Sequence, residues 1–119
     1  ISTTFELVDA ILSVLPRKPW MKTHPATKTF QALRITVNDE YAVVREALAK
    51  GFEKLVSGGR FAVITFHSGE DRIVKNFFRD RAHEGLAVLI TKKPITPSDA
   101  ELAANPRARS SQLRIIQKS

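Results

Sequence analysis

Three separated stretches carry side chains able to bind or react where a plain structural element would need none. They are His24-Pro25-Ala26-Thr27-Lys28-Thr29-Phe30-Gln31-Ala32-Leu33-Arg34, Phe66-His67-Ser68-Gly69-Glu70-Asp71-Arg72-Ile73-Val74-Lys75 and Asn105-Pro106-Arg107-Ala108-Arg109-Ser110-Ser111-Gln112-Leu113-Arg114. An imidazole following an apolar run, as His67 does, can orient a base or a phosphate, and it can equally hydrogen-bond nearby backbone. No nucleophile and carboxylate complete a triad with it, which disfavours hydrolysis. Ser68, Glu70 and Asp71 suit a ligand site, yet they are also what a helix start uses, a cap followed by acids near the positive end of the dipole. Lys28 and Arg34 could meet phosphate or pair with acids of the same domain. In the third stretch Pro106 is expected to hold the chain extended. Arg107 and Arg109 would then project to one side and reach adjacent phosphates.

Composition narrows the partners. Nineteen Lys and Arg against twelve Asp and Glu give a net charge of +7, which favours a polyanion through phosphate neutralisation and counterion release. The chain has no cysteine, which removes disulfides, thiolate metal sites and a cysteine nucleophile and agrees with a cytoplasmic protein. Its three histidines show no metal-ligand spacing. Apolar runs fall far short of the roughly 20 residues of a membrane span, so a soluble, non-membrane protein is expected. The chain opens on Ile1 and has no glycine-rich turn after an apolar strand, so it reads as part of a longer protein.

The elements that position these residues follow from periodicity. Thr3-Thr4-Phe5-Glu6 reads as a capping box opening a helix that Pro16 ends. Arg17 to His24 is irregular, with Trp20 expected to pack as a lid over a second helix whose first turn holds Pro25. There Ala26, Phe30, Leu33 and Val37 make an apolar stripe beside a polar one of Thr27, Gln31, Arg34 and Asn38. A longer helix spans Asp39 to Val56, with Tyr41, Val44, Leu48, Phe52 and Leu55 on one side and Ser57-Gly58-Gly59 as its stop. Phe61 to Phe66 predicts a strand buried on both faces in a parallel sheet. Ser68 caps the next helix, on which Arg72, Lys75 and Arg79 share a solvated face. Leu86 to Thr91 predicts a second strand, so that strand, helix and strand form a parallel crossover. A short helix from Ser98 to Ala104 and a last strand from Gln112 to Ile116 complete an α/β sheet, thin enough that more of it is expected elsewhere. Ligands of open α/β sheets gather beyond the carboxyl ends of the strands, where His67, Ser68, Glu70 and Asp71 fall.

The three stretches, with Val37-Asn38 and Gly58-Gly59-Arg60, occur in order over nearly the whole chain. In this the chain resembles the C-terminal half of the ribosomal RNA small subunit methyltransferase H family. The resemblance implies S-adenosylmethionine-dependent methylation of the exocyclic amino nitrogen of a cytidine in small-subunit ribosomal RNA. It also implies a Rossmann-like methyltransferase fold with an inserted helical domain, residues 1–20 ending that insertion and 21–119 forming the C-terminal part of the catalytic domain. The cofactor would be bound mainly by the N-terminal half, leaving no cofactor-binding residue here and an isolated chain without activity. The partner implied is small-subunit ribosomal RNA or the assembling small subunit. His24, Lys28, Gln31, Arg34, His67, Ser68, Glu70, Asp71, Arg72, Arg107 and Arg109 match the family's motifs and become substrate-side candidates, some orienting the cytidine and others holding phosphate. A non-catalytic RNA-binding α/β module is the rival. Two positions depart from the family: Lys28 where Arg is common, losing bidentate geometry, and Gly69 where Leu is usual, expected to loosen the turn carrying His67 and Glu70.

Overall fold

A computed structural model describes residues 1–119 and divides them into two compact units, Ile1–Glu40 and Tyr41–Ser119. In the first unit, Thr3 caps α1 (Thr4–Val14), its hydroxyl accepting from the Glu6 N–H while the Glu6 side chain reaches back to the cap backbone. The backbone N–H groups of Ser2 and then Thr3 hold the Glu6 carboxyl below its ordinary range. Helix α2 (Thr27–Asn38) starts two residues after Pro25, which therefore precedes the helix rather than sitting in its first turn, and its N-cap Ala26 is buried. The apolar stripe is only partly used, because Leu33 and Val37 remain exposed. Trp20 is 75% exposed and does not act as a lid. Asp39 ends α2 in the left-handed region, φ 50°, a conformation aspartate tolerates better than most residues. That reversal lets α3 (Glu40–Lys54) begin at once.

The second unit is built around β1 (Arg60–Thr65), α4 (Ser68–His83), β2 (Ala87–Leu89), α5 (Asp99–Ala104) and β3 (Gln112–Lys118), with a 3-10 turn over Pro106–Ser110. An α/β architecture is therefore present, but the expected sheet needs two corrections. The strand order is β1-β3-β2, and β3 runs antiparallel to both neighbours. β1 and β2 do run in the same direction on either side of α4, but they are not hydrogen-bonded to one another, because the last strand inserts between them. Periodicity reports each strand's faces and carries nothing about which strand pairs with which, so the inserted strand lay outside its reach.

The second correction concerns burial. Phe61, Val63 and Thr65 point to the face that also holds Arg114, Ile116 and Leu89, as the register pairs Phe61 with Ile116, Val63 with Arg114 and Leu89 with Ile116. Two helices cover it at i, i+4 spacing, α4 with Val74 and Phe78 and α3 with Leu48 and Phe52, and these residues with Ala87 and Ile116 are the core. The other face is open: Ile64 is 58% and Val88 60% exposed, and Phe66 beyond β1 is exposed too. A single covered face contradicts the strand buried on both sides. Lys118 ties the two layers, its ammonium donating to the carbonyls of Phe52 (3.2 Å), Glu53 (3.2 Å) and Leu55 (2.8 Å) at the end of α3. A cation there satisfies orphan carbonyls and complements the negative helix end.

The two faces predict opposite mutational costs. Phe78→Ala should lower the unfolding free energy of the chain by about 3–5 kcal/mol, whereas Ile64→Ala on the open face should change it by about 0.5 kcal/mol or less, both read from urea denaturation. Equal costs would mean that the open face is covered in solution.

Candidate nucleic-acid interface

In the first unit, His24, Gln31 and Arg34 line a shallow concavity of about 670 Å³ together with Val8, Thr27 and Phe30. Lys28 lies beside it, with His24 and Trp20, on a second one of about 400 Å³. His24 is held from within: its Nδ1 accepts from the Ala26 N–H at 3.1 Å, which fixes the ring at the start of α2. The Arg34 guanidinium forms a fork on Glu40, Nε to Oε1 at 2.8 Å and Nη2 to Oε2 at 3.4 Å. Of the two readings open for Arg34, pairing with an acid of the same unit is thus the one realised, while Lys28 is exposed without an ion pair.

In the second unit the site forms where β1 meets α4. His67, rather than Ser68, is the N-cap: its Nδ1 accepts from the Glu70 N–H at 3.4 Å, and Ser68 is the first helical residue. Glu70 reaches back so that Oε2 accepts from the Phe66 N–H at 3.2 Å. The pair closes the helix start reciprocally, in the manner of a capping box displaced by one residue. His67 Nε2 is buried and lies 3.4 Å from Glu70 Oε1, yet the angle makes no hydrogen bond, and Thr65 Oγ1 at the end of β1 is also buried without a partner. Two orphaned polar atoms two residues apart at a strand's carboxyl end are unusual, since most buried polar groups are satisfied.

Asp71 is anchored from the opposite side. Arg114 on β3 grips it through Nε to Oδ1 at 2.7 Å and Nη2 to Oδ2 at 2.9 Å, with side-chain exposures of only 11% and 14%. The Gln112 amide, turned nitrogen inward, donates to both carboxylate oxygens at 3.0 Å. Asp71 is therefore spent on structure, and Arg114 and Gln112 are the residues that motif reading left out of the candidate set. Their signal was present: in the alternation of β3 they share the inward side with Ile116, and a charged residue there requires a partner.

Gly69 does not act as expected. A Cβ at this position would overlap the Tyr41 hydroxyl and stand 2.7 Å from Tyr41 Cζ. The Tyr41 ring also lies tilted against His67, centroids 6.0 Å apart. The glycine thus admits a phenol that fills the turn and backs the imidazole, so its effect is close packing rather than loosening. Because this turn is filled by Tyr41, it offers no backbone cradle for a nucleotide cofactor.

Arg107 and Arg109 require a correction. The segment is a 3-10 turn in which Asn105 Oδ1 accepts from the Arg107 N–H at 3.2 Å and Pro106 occupies the first turn. At about three residues per turn, positions i and i+2 diverge rather than project together. Both remain exposed, and the turn leads directly into β3. Since β3 is antiparallel to β1 and β2, its beginning lies at their carboxyl ends. Arg107, Arg109, His67 and the exposed Ser68 and Arg72 therefore occupy one end of the sheet.

The MraW methylase family matches residues 1–119. Ribosomal RNA small subunit methyltransferase H of Leptospira interrogans serogroup Icterohaemorrhagiae serovar copenhageni is 52% identical over 120 residues, covering 100% of this chain and 36% of that protein. The protein of the same name from Geotalea uraniireducens is 47% identical over 134 residues, covering 99% and 43%. That from Persephonella marina is 47% identical over 121 residues, covering 99% and 41%. The chain thus spans roughly two-fifths of the length of these relatives. No helix is long and apolar enough to cross a membrane.

Two pairs in the site should behave as coupled units. Asp71→Ala strands the Arg114 charge and should cost about 3–5 kcal/mol in urea denaturation, most of it regained in Asp71→Ala with Arg114→Met. Gly69→Ala should cost about 1–3 kcal/mol through overpacking, and a double-mutant cycle should find that Tyr41→Leu removes most of that cost. Additive costs in either cycle would contradict the contact it tests.

Proposed function

This chain belongs to the MraW methylase family, and from that premise we propose that it is the substrate-facing C-terminal part of an S-adenosylmethionine-dependent ribosomal RNA methyltransferase acting on the N4 amino group of a cytidine in small-subunit RNA. In this reading residues 1–20 close an inserted helical domain, and 21–119 belong to a Rossmann-like methyltransferase domain in the cytoplasm. The open apolar face of the sheet and the free edge of β1 favour the latter, because a lone sheet with an uncovered face and unpaired edge is a liability that further structure would relieve.

The observation that carries the reading is the carboxyl end of β1. There His67 is fixed through Nδ1 by the Glu70 N–H, while His67 Nε2 and Thr65 Oγ1 are buried and unpartnered. A preorganised, part-exposed imidazole at this end of an α/β sheet suits a polar planar ligand such as a flipped base. Around them Ser68, Arg72, Arg107 and Arg109 supply hydrogen-bonding and cationic groups for the RNA backbone. In the first unit His24, Gln31 and Lys28 present a second polar surface for the same RNA. Asp71, Glu70 and Arg34 act by positioning, being engaged by Arg114, the Phe66 backbone and Glu40. In this reading cofactor binding belongs mainly to the rest of the protein and the isolated chain is inactive, which the filling of the Gly69 turn by Tyr41 supports at that one turn.

The test is transfer of labelled methyl from S-adenosylmethionine to small-subunit ribosomal RNA by the intact protein, with the RNA digested to nucleosides. N4-methylcytidine is the expected product, and calorimetry should find cofactor binding by the intact protein and none by residues 1–119 alone. His67→Ala should lower transfer by about 10²-fold or more with cofactor affinity unchanged. Methyl on another atom would refute the cytidine N4 reading. RNA binding without any transfer would favour a non-catalytic RNA-binding module.

A further inference from the structure

Residues outside the site above form a second basic feature. Lys75 and Arg79, one turn apart on α4, face Thr91 and Lys92, which follow β2, across a cleft of about 210 Å³ floored by Phe78 and walled by Arg114. Four of its lining residues are cationic and none is acidic. The Arg114 guanidinium is already engaged by Asp71, which leaves Lys75, Arg79 and Lys92 to face the opening. The ion pairs of the chain use neither Lys75 nor Lys92, and Arg79 makes only an exposed contact with its neighbour Asp80 at 3.3 Å. Thr91 is immobilised by accepting from the Ile115 N–H at 2.9 Å, which fixes where Lys92 leaves the sheet. Three ammonium and guanidinium groups gathered around one concavity repel each other, a cost that an anion seated between them removes.

We infer that this cleft binds a backbone phosphate of the substrate RNA, away from the target nucleotide. The inference rests on the reading of the protein as an RNA methyltransferase. In the register Leu89 lies opposite Ile116 and Ile116 opposite Phe61, so β2 ends level with the start of β1 and the cleft opens partway along the sheet, short of the strand end that carries His67. What joins the two places is α4, whose exposed Arg72, Lys75 and Arg79 run from the His67 cap to the cleft, so one strand of RNA laid along the helix can engage both, its phosphate held at Lys75, Arg79 and Lys92 while a base is presented at His67. The cationic face of α4, which by spacing alone would be merely solvated, acquires a partner surface once Lys92 is placed opposite it. A compact cluster on two rigid elements positions the RNA without reading sequence.

The test replaces Lys75→Gln, Arg79→Gln and Lys92→Gln together in the intact protein. A control carries Lys18→Gln, Lys54→Gln and Arg60→Gln, removing equal charge elsewhere. Affinity for a fluorescein-labelled single-stranded fragment of small-subunit ribosomal RNA is followed by anisotropy between about 50 and 200 mM salt. Each lost phosphate contact lowers the log–log salt slope by about 0.7, so the cleft variant, which loses the one phosphate held there, should lose about 0.7 in slope and about 5-fold in affinity near 0.1 M salt. The control should keep the slope, and S-adenosylmethionine affinity should be unchanged in both. Equal slopes in the two variants would overturn the inference by reducing the effect to net charge. Saturable binding of inorganic phosphate, lost in the cleft variant while its RNA slope stays normal, would overturn it in favour of a free anion. Methyl transfer by the intact protein with an unchanged slope condemns the cleft alone. A lost slope in a protein that transfers no methyl upholds the cleft and condemns the methyltransferase reading.

Discussion

The arrangement of this sheet depends on the fork that Arg114 makes with Asp71. Arg114 lies inside β3, the strand inserted between β1 and β2, and Asp71 lies in the first turn of α4. Their two short hydrogen bonds join the centre of the sheet to the start of the helix that follows β1. A buried guanidinium without a carboxylate would cost several kcal/mol, so the strand and the helix start are stable only together. The same contact settles what His67 can do. Because Asp71 fixes the first turn, the Glu70 N–H is held where the imidazole can accept from it, and the ring's other nitrogen is directed inward without a partner. Packing between layers and the chemistry at the strand end are thus one constraint.

How much of this was legible differs by the range of the interaction. Features set within a few residues were read correctly: the capping box at Thr3 and Glu6, the Leu48 and Phe52 face of α3, and Ser98 as the cap of α5, whose hydroxyl accepts from Glu101. The exchange of cap between Ser68 and His67 was a near miss with a simple cause. Both side chains can accept from a helical N–H, and serine is the commoner cap, but here the strand delivers His67 at the junction in an extended conformation, φ −148° and ψ 163°. Strand order was not legible, because the alternation of Gln112, Arg114 and Ile116 marks one inward face and is silent on neighbours. Nor was the shape of the Arg107 segment. Pro106 fits an extended chain and the first turn of a helix equally well, and the Asn105 carboxamide, by capping the Arg107 N–H, decides for the turn.

Gly69 shows why a departure from a family pattern has to be judged with its contacts. Alone, a glycine in place of a larger apolar residue reads as a loss of packing and of order. In the folded chain the lost volume is supplied from Tyr41, a residue twenty-eight positions earlier. The phenol fills the space against the glycine and rests against the His67 ring. Local order at the site is therefore maintained through a contact between α3 and the start of α4, and α3 does more than cover the sheet.

The open face of the sheet gives these contacts their direction. On the covered face every inward position of β1 and β3 meets a helix or an ion pair, while Ile64, Val88 and Phe66 turn apolar surface outward. Beyond the carboxyl end of β1 stand His67, Ser68 and Arg72, with Arg107 and Arg109 on the turn that leads into β3. Exposed cations also stand at the start of β1, in Arg60, and along the helices, so it is the bare apolar face rather than the charge that is confined to one side. A bare apolar face with an unpaired edge strand beside it is what a sheet presents when more protein is to cover it.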